Sequence, residues 1–230
     1  MQPIKLDSRL STIADKVRPQ AYFADIGTDH GYLPVYLAQT GRISRAVAAD
    51  INEKPLKQAR QTIVRYGLEN LISACLSDGL TAVDPEVEDI AIAGMGGELI
   101  AQILSAVEWV RTPQKRLLLQ PMTQDAHLRR YLAQEGFAVL DETAAEDGRH
   151  LYIIFEAQYT GKPAVLSELE AYAGKCLYKR DVLSRKYIER KYRRLCKIAD
   201  GLRKAGDLSL AAQNEALAGQ LFAQAGKDFL

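Results

Sequence analysis

Short apolar runs alternate with helical patterns between residues 21 and 159, and this alternation constrains the fold more than any other feature of the sequence. The runs AYFADI, SRAVAADI, LISACLS, DIAIAGM and KRLLLQPM are rich in β-branched or other apolar residues, which is typical of buried strands. Helical patterns such as EKPLKQARQTIVRYG and GELIAQILSAVEW lie between them. Strands that alternate with helices form a mostly parallel sheet covered on both faces. The sequence therefore predicts a doubly wound α/β fold.

Two further apolar runs, FAVLDET and LYIIFEAQ, follow this alternation without a helical segment between them. We therefore expect the last two strands to form an antiparallel hairpin. The opening segment, LDSRLSTIADKV, carries apolar residues at helical spacing and predicts a helix packed beside the sheet.

The sequence changes character after residue 160. A capping-box pattern at Ser167 precedes a long helical pattern that runs towards Arg203, with Gly174 as a candidate interruption. A second helical pattern follows a Gly-Asp break, and two helices joined by a short turn predict an antiparallel, coiled-coil-like pair. We expect an α/β domain over residues 1–160 and a helical domain over residues 161–230.

Composition excludes several classes of protein. Apolar residues make up 47% of the chain and charged residues 26%, as in ordinary globular proteins. The chain has no run of about 18 apolar residues, and the N-terminal stretch lacks the pattern of a secretion signal, so we expect no membrane association. Three widely spaced cysteines without a CxxC pair argue against disulfides and zinc, and we expect no metal. A reducing cytoplasm is the simplest compartment.

The charge of the chain is unevenly distributed. The segment from Lys175 to Lys204 contains twelve Lys and Arg against three acidic residues, a net charge of +9, whereas the whole chain carries +1. Such an asymmetry indicates a polyanionic partner for the basic segment. A merely solvated helix face remains the alternative.

Polar or glycine-rich residues follow each of the five predicted parallel strands. In doubly wound sheets, ligands bind beyond the carboxyl ends of the strands, so these residues are the candidate site. They are Asp25, Gly27, Thr28, Asp29, His30 and Gly31 after the first strand, Asp50, Ile51 and Asn52 after the second, Asp78 and Gly79 after the third, Gly94, Met95, Gly96 and Gly97 after the fourth, and Gln120, Pro121 and Met122 after the fifth.

The first loop does not suit a dinucleotide. A G-x-G-x-x-G motif is absent, and Asp29 stands where its second glycine would be. A carboxylate there repels a diphosphate and suits a ligand with a cationic end, such as the amino group of S-adenosylmethionine. Asp50 is placed to accept both hydroxyls of a ribose, and Asp78 to accept from an adenine amino group. For Asp25, stabilisation of the loop alone remains an alternative to cofactor contact.

The segments DIGTDHGYLP, AADIN, SDGL, IAGMGG and LLQPM, in this order and spacing, resemble the bacterial tRNA (adenine-22-N1)-methyltransferase family. The resemblance extends over essentially the whole chain. It implies a Rossmann-like class I methyltransferase sheet, a helical coiled-coil-like C-terminal domain, and transfer of methyl from S-adenosylmethionine to N1 of an adenine in the D-arm region of tRNA. It also implies which residues hold the cofactor, namely Asp25, Gly27, Asp29, Asp50 and Asp78, and that residues 94–97 border the transferred methyl.

The chemistry of adenine N1 needs no general base. Its lone pair is available for attack, so the enzyme chiefly has to align the reacting atoms. Ala93-Gly94-Met95-Gly96 stands where many amino-group adenine methyltransferases carry Asn-Pro-Pro-aromatic, which favours a ring nitrogen as the nucleophile. The methylated base is cationic, so Asp29 is a candidate to stabilise it. His30 is the competing candidate for a catalytic base, but a structural role at the helix start is the commoner one for such a histidine.

We predict that tRNA is the partner and that the chain acts as a monomer. The predicted tRNA contacts are Arg9 on the opening helix and Lys179, Arg180, Arg185, Lys186, Arg190, Arg193 and Arg194 in the basic segment. Two other classes remain open, namely a methyltransferase acting on another RNA, a protein or a small molecule, and a noncatalytic nucleic-acid-binding module. The basic segment argues against a small-molecule enzyme, and the acidic residues at three strand ends argue against a noncatalytic module.

Overall fold

The computed structural model describes residues 4–226 and contains one seven-stranded sheet of order β3-β2-β1-β4-β5-β7-β6. Strands β1 to β5 are parallel, whereas β7 runs antiparallel to both β5 and β6. This confirms the doubly wound α/β fold and the terminal hairpin. The strands are β1 (Ala21–Ile26), β2 (Ile43–Asp50), β3 (Ile72–Leu76), β4 (Asp89–Gly96), β5 (Arg116–Thr123), β6 (Phe137–Asp147) and β7 (His150–Tyr159).

Helices cover both faces of this sheet. Successive side chains of a strand point to opposite faces, so a strand that is apolar throughout needs helices on both sides to bury them. Leu117 and Leu119 of β5 belong to one apolar cluster, and Leu118 between them belongs to the other. One face packs against α1, α2 and α3, and the other against α4, α5 and the C-terminal helices. The helices are α1 (Ser8–Lys16), α2 (Tyr32–Gln39), α3 (Glu53–Arg65), α4 (Gly97–Ser105), α5 (Asp125–Gln134), α6 (Glu168–Ala173), α7 (Val182–Lys204) and α8 (Leu208–Ala225).

The long helical pattern after residue 160 is divided into two helices. Ser167 forms the predicted capping box at the start of α6 with Glu170. Gly174, at φ +63°, ends α6, and a 3₁₀ turn over Gly174–Tyr178 follows it. Asp181 then caps α7 by accepting a hydrogen bond from the backbone N–H of Ser184. The predicted long helix that runs towards Arg203 is therefore interrupted at Gly174, as the sequence suggested, and its second part, α7, is the main partner of α8, which α6 also contacts.

The C-terminal helices share an apolar core with the sheet. Leu177, Leu195 of α7 and Leu221 of α8 are buried in the same cluster as Leu128 of α5 and Phe155 of β7. The domain boundary at residue 160 stays a prediction, since both predicted regions contribute to one continuous core. Residues 1–3 and 227–230, at the ends of the two predicted domains, lie outside the described residues.

Candidate active site

Backbone hydrogen bonds join the loops that follow β1, β2 and β3. The N–H groups of Gly27 and Thr28 donate to the Ala49 carbonyl at 2.8 and 3.0 Å, and the N–H of Ser77 donates to the Asp50 carbonyl at 2.9 Å. Because parallel strands end at the same edge of a sheet, these bonds hold the three acidic strand ends side by side. The predicted cofactor residues therefore lie along one edge.

The loop between β1 and α2 has three residues in the left-handed region. Gly27 lies at φ +77° and Gly31 at +71°, where a side chain would be strained. Asp29 adopts φ +51° without being glycine, a conformation that aspartate tolerates better than most residues. Its side chain is exposed at the mouth of the loop. Backbone strain of this kind is concentrated at functional sites.

Asp25 is the buried carboxylate beneath this loop, with 6% of its surface exposed. It accepts a hydrogen bond from the Thr28 hydroxyl at 2.7 Å, so it does stabilise the loop. Burial raises its pKa to about 6, with Asp50 adding to the effect and the Thr28 hydroxyl and Arg9 opposing it. A cation bound next to this carboxyl would lower its pKa and so increase the ionised fraction at neutral pH.

A cleft of about 390 Å³ opens above Asp25. Its size lies within the range of small-molecule sites. Of the predicted residues, its walls contain Asp25, Gly27, Thr28, Asp29, His30, Gly94 and Arg9. The remaining predicted cofactor residues are Gly31, at the end of the first loop, and those that follow β2 and β3, and they lie outside its walls. The cleft thus brings together the first and fourth strand ends with α1.

The residues after β2 and β3 form the open continuation of this edge. The Asp50 carboxylate accepts a hydrogen bond from the Asn52 backbone N–H at 2.8 Å, which fixes its orientation. Ile51 leaves 59% of its surface exposed and offers an apolar flank. Asp78 is exposed, and Gly79 follows at φ +56°, where an added Cβ would lie 2.9 Å from Ile103.

The glycine loop, as we call residues 94–97, consists of the last three residues of β4 and the first of α4, so it does not follow the strand as predicted. It packs against two other loops. A Cβ on Gly97 would collide with the carbonyl oxygen of Gln124, so this position has a structural reason to be glycine. Gly94 lies at φ +80° and is exposed, next to Arg9. The end of the Met95 side chain lies against Gly27, so the first and fourth strand ends touch at these two residues.

Gln120 is a further functional candidate, which its sequence position identifies only as part of a strand end. It is fully buried, and its Oε1 accepts hydrogen bonds from Arg9 Nη1 at 3.0 Å and from the Gly94 backbone N–H at 3.1 Å. Its amide nitrogen donates to the Pro121 carbonyl at 3.0 Å. Gln120 thus fixes both α1 and the glycine loop. In the sequence, the only indication of this role is that a polar residue ends the apolar run RLLL.

The predicted tRNA-binding cations fall into two groups. Some contact the protein itself, because Lys179 pairs with Asp141, Lys186 with Glu146 and Arg193 with Glu189, while Arg180 donates to the Ala225 carbonyl. Arg185 is exposed on α7. Arg190 and Arg194 instead line a second cleft, which lies between α7, the end of β5 and the start of β7. The structure therefore does not present the basic segment as one uniform surface.

Within residues 4–226, no helix is both long and apolar enough to cross a membrane. In the same range, no group of three or more His, Cys, Asp or Glu side chains is arranged to hold a metal ion.

Comparison with known proteins first defines a class. Residues 6–155 match a family model described as a methyltransferase domain, so the chain belongs to the methyltransferases. More particularly, it is 37% identical over 175 residues to the tRNA (adenine(22)-N(1))-methyltransferase of Bacillus subtilis (strain 168), covering 76% of this chain and 74% of that protein. The chain belongs to the tRNA (adenine(22)-N(1))-methyltransferase family.

Solved structures agree with this assignment. The crystal structure of the B. subtilis M1A22 tRNA methyltransferase TrmK has a TM-score of 0.84 at 28% identity and covers 95% of this chain and 99% of its own. The structure of M. capricolum TrmK with S-adenosyl-homocysteine, named as the natural cofactor product, has a TM-score of 0.79 at 26% identity over 94% of this chain and 97% of that one. These similarities cover the C-terminal helices as well as the sheet.

Proposed function

We propose that this protein transfers the methyl group of S-adenosylmethionine to N1 of adenine 22 in tRNA. The observation that carries the proposal is the cleft in which Asp25 and Asp29 lie beside the exposed Gly94, with Asp50 held at the neighbouring strand end. This arrangement offers carboxylates to a cationic ligand next to a glycine loop that a reacting base can approach closely. The name of the B. subtilis relative specifies the same reaction.

The residues present fit S-adenosylmethionine. In the proposed site, Asp29 and Asp25 face the amino group of the methionine part, Asp50 accepts the ribose hydroxyls, and Asp78 accepts from the adenine amino group. Thr28, His30, Gly31, Ile51, Asn52 and Gly79 shape the loops around these contacts. When bound, the cofactor supplies an electrophilic methyl group on a sulfonium sulfur.

The chain contributes positioning and electrostatics to the transfer. Gly94, without a side chain, leaves room for the target base, and Gln120 holds the Gly94 N–H and so fixes the loop. Adenine N1 attacks with its own lone pair, so no side chain has to remove a proton first. The exposed carboxylate of Asp29 stabilises the positive charge of the methylated base. Because N1 lies on the Watson–Crick edge, a paired adenine must leave its stack before reaction.

Methyl transfer to defined transcripts tests the proposed function. Purified protein is incubated with methyl-labelled S-adenosylmethionine and unmodified tRNA that carries adenine 22, and with a matched transcript that carries guanine there. We expect about one methyl group per tRNA, recovered as 1-methyladenosine at position 22, and none on the guanine transcript. Label on both transcripts, or only on another RNA or a small molecule, would favour the alternative substrates.

His30→Ala is expected to lower kcat by less than about tenfold. His30 stacks on Tyr32 with ring centroids 5.1 Å apart, and its Nε2 lies 3.5 Å from Asp29, so its contacts are those of a loop residue. Loss of a general base would cost about 10²- to 10⁴-fold. Single-turnover methylation measures the effect, with His127→Ala on the exposed side of α5 as the control. A hundredfold loss with cofactor and tRNA affinity retained would make His30 catalytic.

The raised pKa of Asp25 predicts a pH-dependent cofactor affinity. Since this carboxyl titrates at about pH 6, the cationic ligand gains its ionised partner as the pH rises, and the affinity for S-adenosylmethionine should increase about tenfold between about pH 5 and 7. Without ligand, stability should fall as the pH rises from about 4 to 6, because the unfolded chain has lost the proton that the folded chain retains.

Calorimetry with Asp25→Asn checks this expectation. The variant keeps a hydrogen-bond acceptor for the Thr28 hydroxyl but cannot ionise, so its affinity should be lower and flat across the same pH range. A wild-type affinity that is equally flat would leave Asp25 with its loop-stabilising role alone.

A further inference from the structure

A second cleft lies at the same edge of the sheet as the cofactor cleft. It has a volume of about 280 Å³ and is enclosed by the end of β5 with the start of α5, the start of β7 and one side of α7. Strand β7 runs antiparallel to β5, so the start of β7 lies at the carboxyl end of β5. Strand β5 in turn is the neighbour of β4, which carries the glycine loop. The two clefts are therefore adjacent.

Two charged side chains that line the second cleft, Lys191 and Asp125, neutralise each other. Lys191 Nζ lies 2.6 Å from Asp125, and the neighbouring pair of Arg129 and Glu142, at 2.8 Å, lies outside the walls of the cleft. Burial opposes ionisation of Asp125, but Lys191 and Arg129 outweigh it and lower its pKa to about 2. Asp125 is thus ionised and paired with cations of the protein itself. Together, Lys191, Asp125, Arg129 and Glu142 carry no net charge.

Arg190 and Arg194 supply the uncompensated charge of this cleft. They are four residues apart on α7, about 6 Å along the helix axis, and both are exposed. Within the described range 4–226, neither forms an ion pair, whereas Lys186 and Arg193 on the same helix each pair with a glutamate. Two guanidinium groups on one side of a helix suit consecutive phosphates of a single strand, to which arginine binds in a bidentate manner.

Aromatic side chains connect this cleft with the cofactor cleft. His150 and Tyr152 line the wall opposite α7, with ring centroids 6.1 Å apart. The Arg9 guanidinium lies 5.8 Å from the centre of the Tyr152 ring and also belongs to the wall of the cofactor cleft. Unpaired RNA bases are recognised by stacking on aromatic rings and arginine planes. A continuous surface thus runs from Arg190 past Tyr152 and Arg9 to Gly94.

We propose that the second cleft binds the unpaired tRNA strand next to the target adenosine. Arg190 and Arg194 hold phosphates of this strand, and Tyr152 stacks on a base beside the target, so that the target adenine enters the cofactor cleft past Arg9. This inference rests on the proposed methylation of tRNA and assigns the point at which the substrate strand is held.

The test replaces both arginines in the full-length chain. For Arg190→Gln/Arg194→Gln, we expect the KM for tRNA to rise at least about tenfold, with the affinity for S-adenosylmethionine unchanged and kcat at saturating tRNA largely retained. Each single-strand phosphate contact contributes about 0.7 to the slope of log affinity against log salt, so the slope should become shallower by about 1.4. The control variant Lys57→Gln/Arg65→Gln removes two positive charges from α3, which lines neither cleft. It is expected to change neither the KM for tRNA nor the salt slope.

Further variants distinguish the contribution of positive charge from that of the arginine geometry, and a loss of tRNA binding from a loss of folding. Arg190→Lys/Arg194→Lys should restore the salt slope and only part of the affinity, because lysine binds phosphate as a point charge. If the double glutamine variant does not fold, each single Arg→Gln variant should lose about 0.7 of the slope.

Two outcomes overturn different statements. A wild-type KM and salt slope in the folded arginine variants would overturn the assignment of the second cleft while leaving the methylation of tRNA intact. Absence of methyl transfer to tRNA by the wild-type protein would instead overturn the proposed function itself.

Discussion

Arg129→Met is expected to lower the free energy of unfolding by about 3–5 kcal/mol, because the substitution leaves the buried carboxylate of Glu142 without its cation. Arg129 is 2% exposed and Glu142 1% exposed, and two hydrogen bonds of 2.8 Å join them. Arg129 also donates to the Ala171 carbonyl at 2.9 Å and to the Tyr187 hydroxyl at 3.1 Å. It therefore connects α5 and β6 with α6 and α7. Urea unfolding measures the loss.

The next residue in the chain provides a matched control. Arg130 pairs with Glu168 at 2.6 Å, but the Glu168 side chain is 74% exposed and that of Arg130 36%, so solvent screens the pair and Arg130→Met should cost less than about 1 kcal/mol. Replacing both buried partners, as in Arg129→Met/Glu142→Leu, should recover much of the loss because no unpaired charge remains. Equal losses for the two single arginine variants would contradict the expected role of burial.

Asp50→Ala is expected to weaken binding of S-adenosylmethionine by about 1.5–3 kcal/mol, or roughly 10- to 150-fold. The carboxylate is nearly buried and held by the Asn52 N–H, so it is oriented before the ribose hydroxyls arrive. Hydrogen bonds to a charged acceptor are stronger than those between neutral groups. Calorimetry on the folded variant gives the affinity directly.

Two further variants control this measurement. Asp50→Asn keeps an acceptor for the Asn52 N–H without the negative charge, so its affinity should lie between those of the wild type and the alanine variant. Asp15→Ala removes an exposed carboxylate from α1 and should leave the affinity unchanged. An unaltered affinity for Asp50→Ala would remove Asp50 from the ribose site.

The central strands of the sheet could be predicted from local pattern because β1 and the first half of β4 are buried on both faces. The run AYFADI coincides with β1, and DIAIAGM falls one residue short of β4. Buried parallel strands are continuous apolar runs, which polar loop residues delimit sharply. The same polar residues marked the edge at which the candidate site lies.

Contacts between residues that are distant in the chain could not be predicted from local sequence patterns. Arg9 and Gln120 are 111 residues apart, so nothing in the spacing of either motif indicates that Gln120 joins Arg9 to Gly94. The basic segment posed the same difficulty, because the carboxylates of Asp141 and Glu146 that bind its lysines belong to β6. A count of cations along the chain gives the net charge but not which cations are left for a phosphate.

The glycine at position 174 indicated from sequence that the helix could be interrupted there, but the sequence did not show why a glycine is needed. A Cβ at this position would collide with the Glu142 carboxylate and the Arg129 guanidinium, so glycine is required by the buried ion pair.

The position of β7 inside the sheet has a consequence for synthesis on the ribosome. Strand β6 leaves the ribosome before β7, yet β5 pairs with β7 and β6 forms the edge. Until residues 150–159 emerge, the Leu117–Leu119 edge of β5 has no strand partner, and unpaired apolar edges favour association with other chains. The nascent protein therefore completes its sheet only with the arrival of the strand that leads directly into its C-terminal helices.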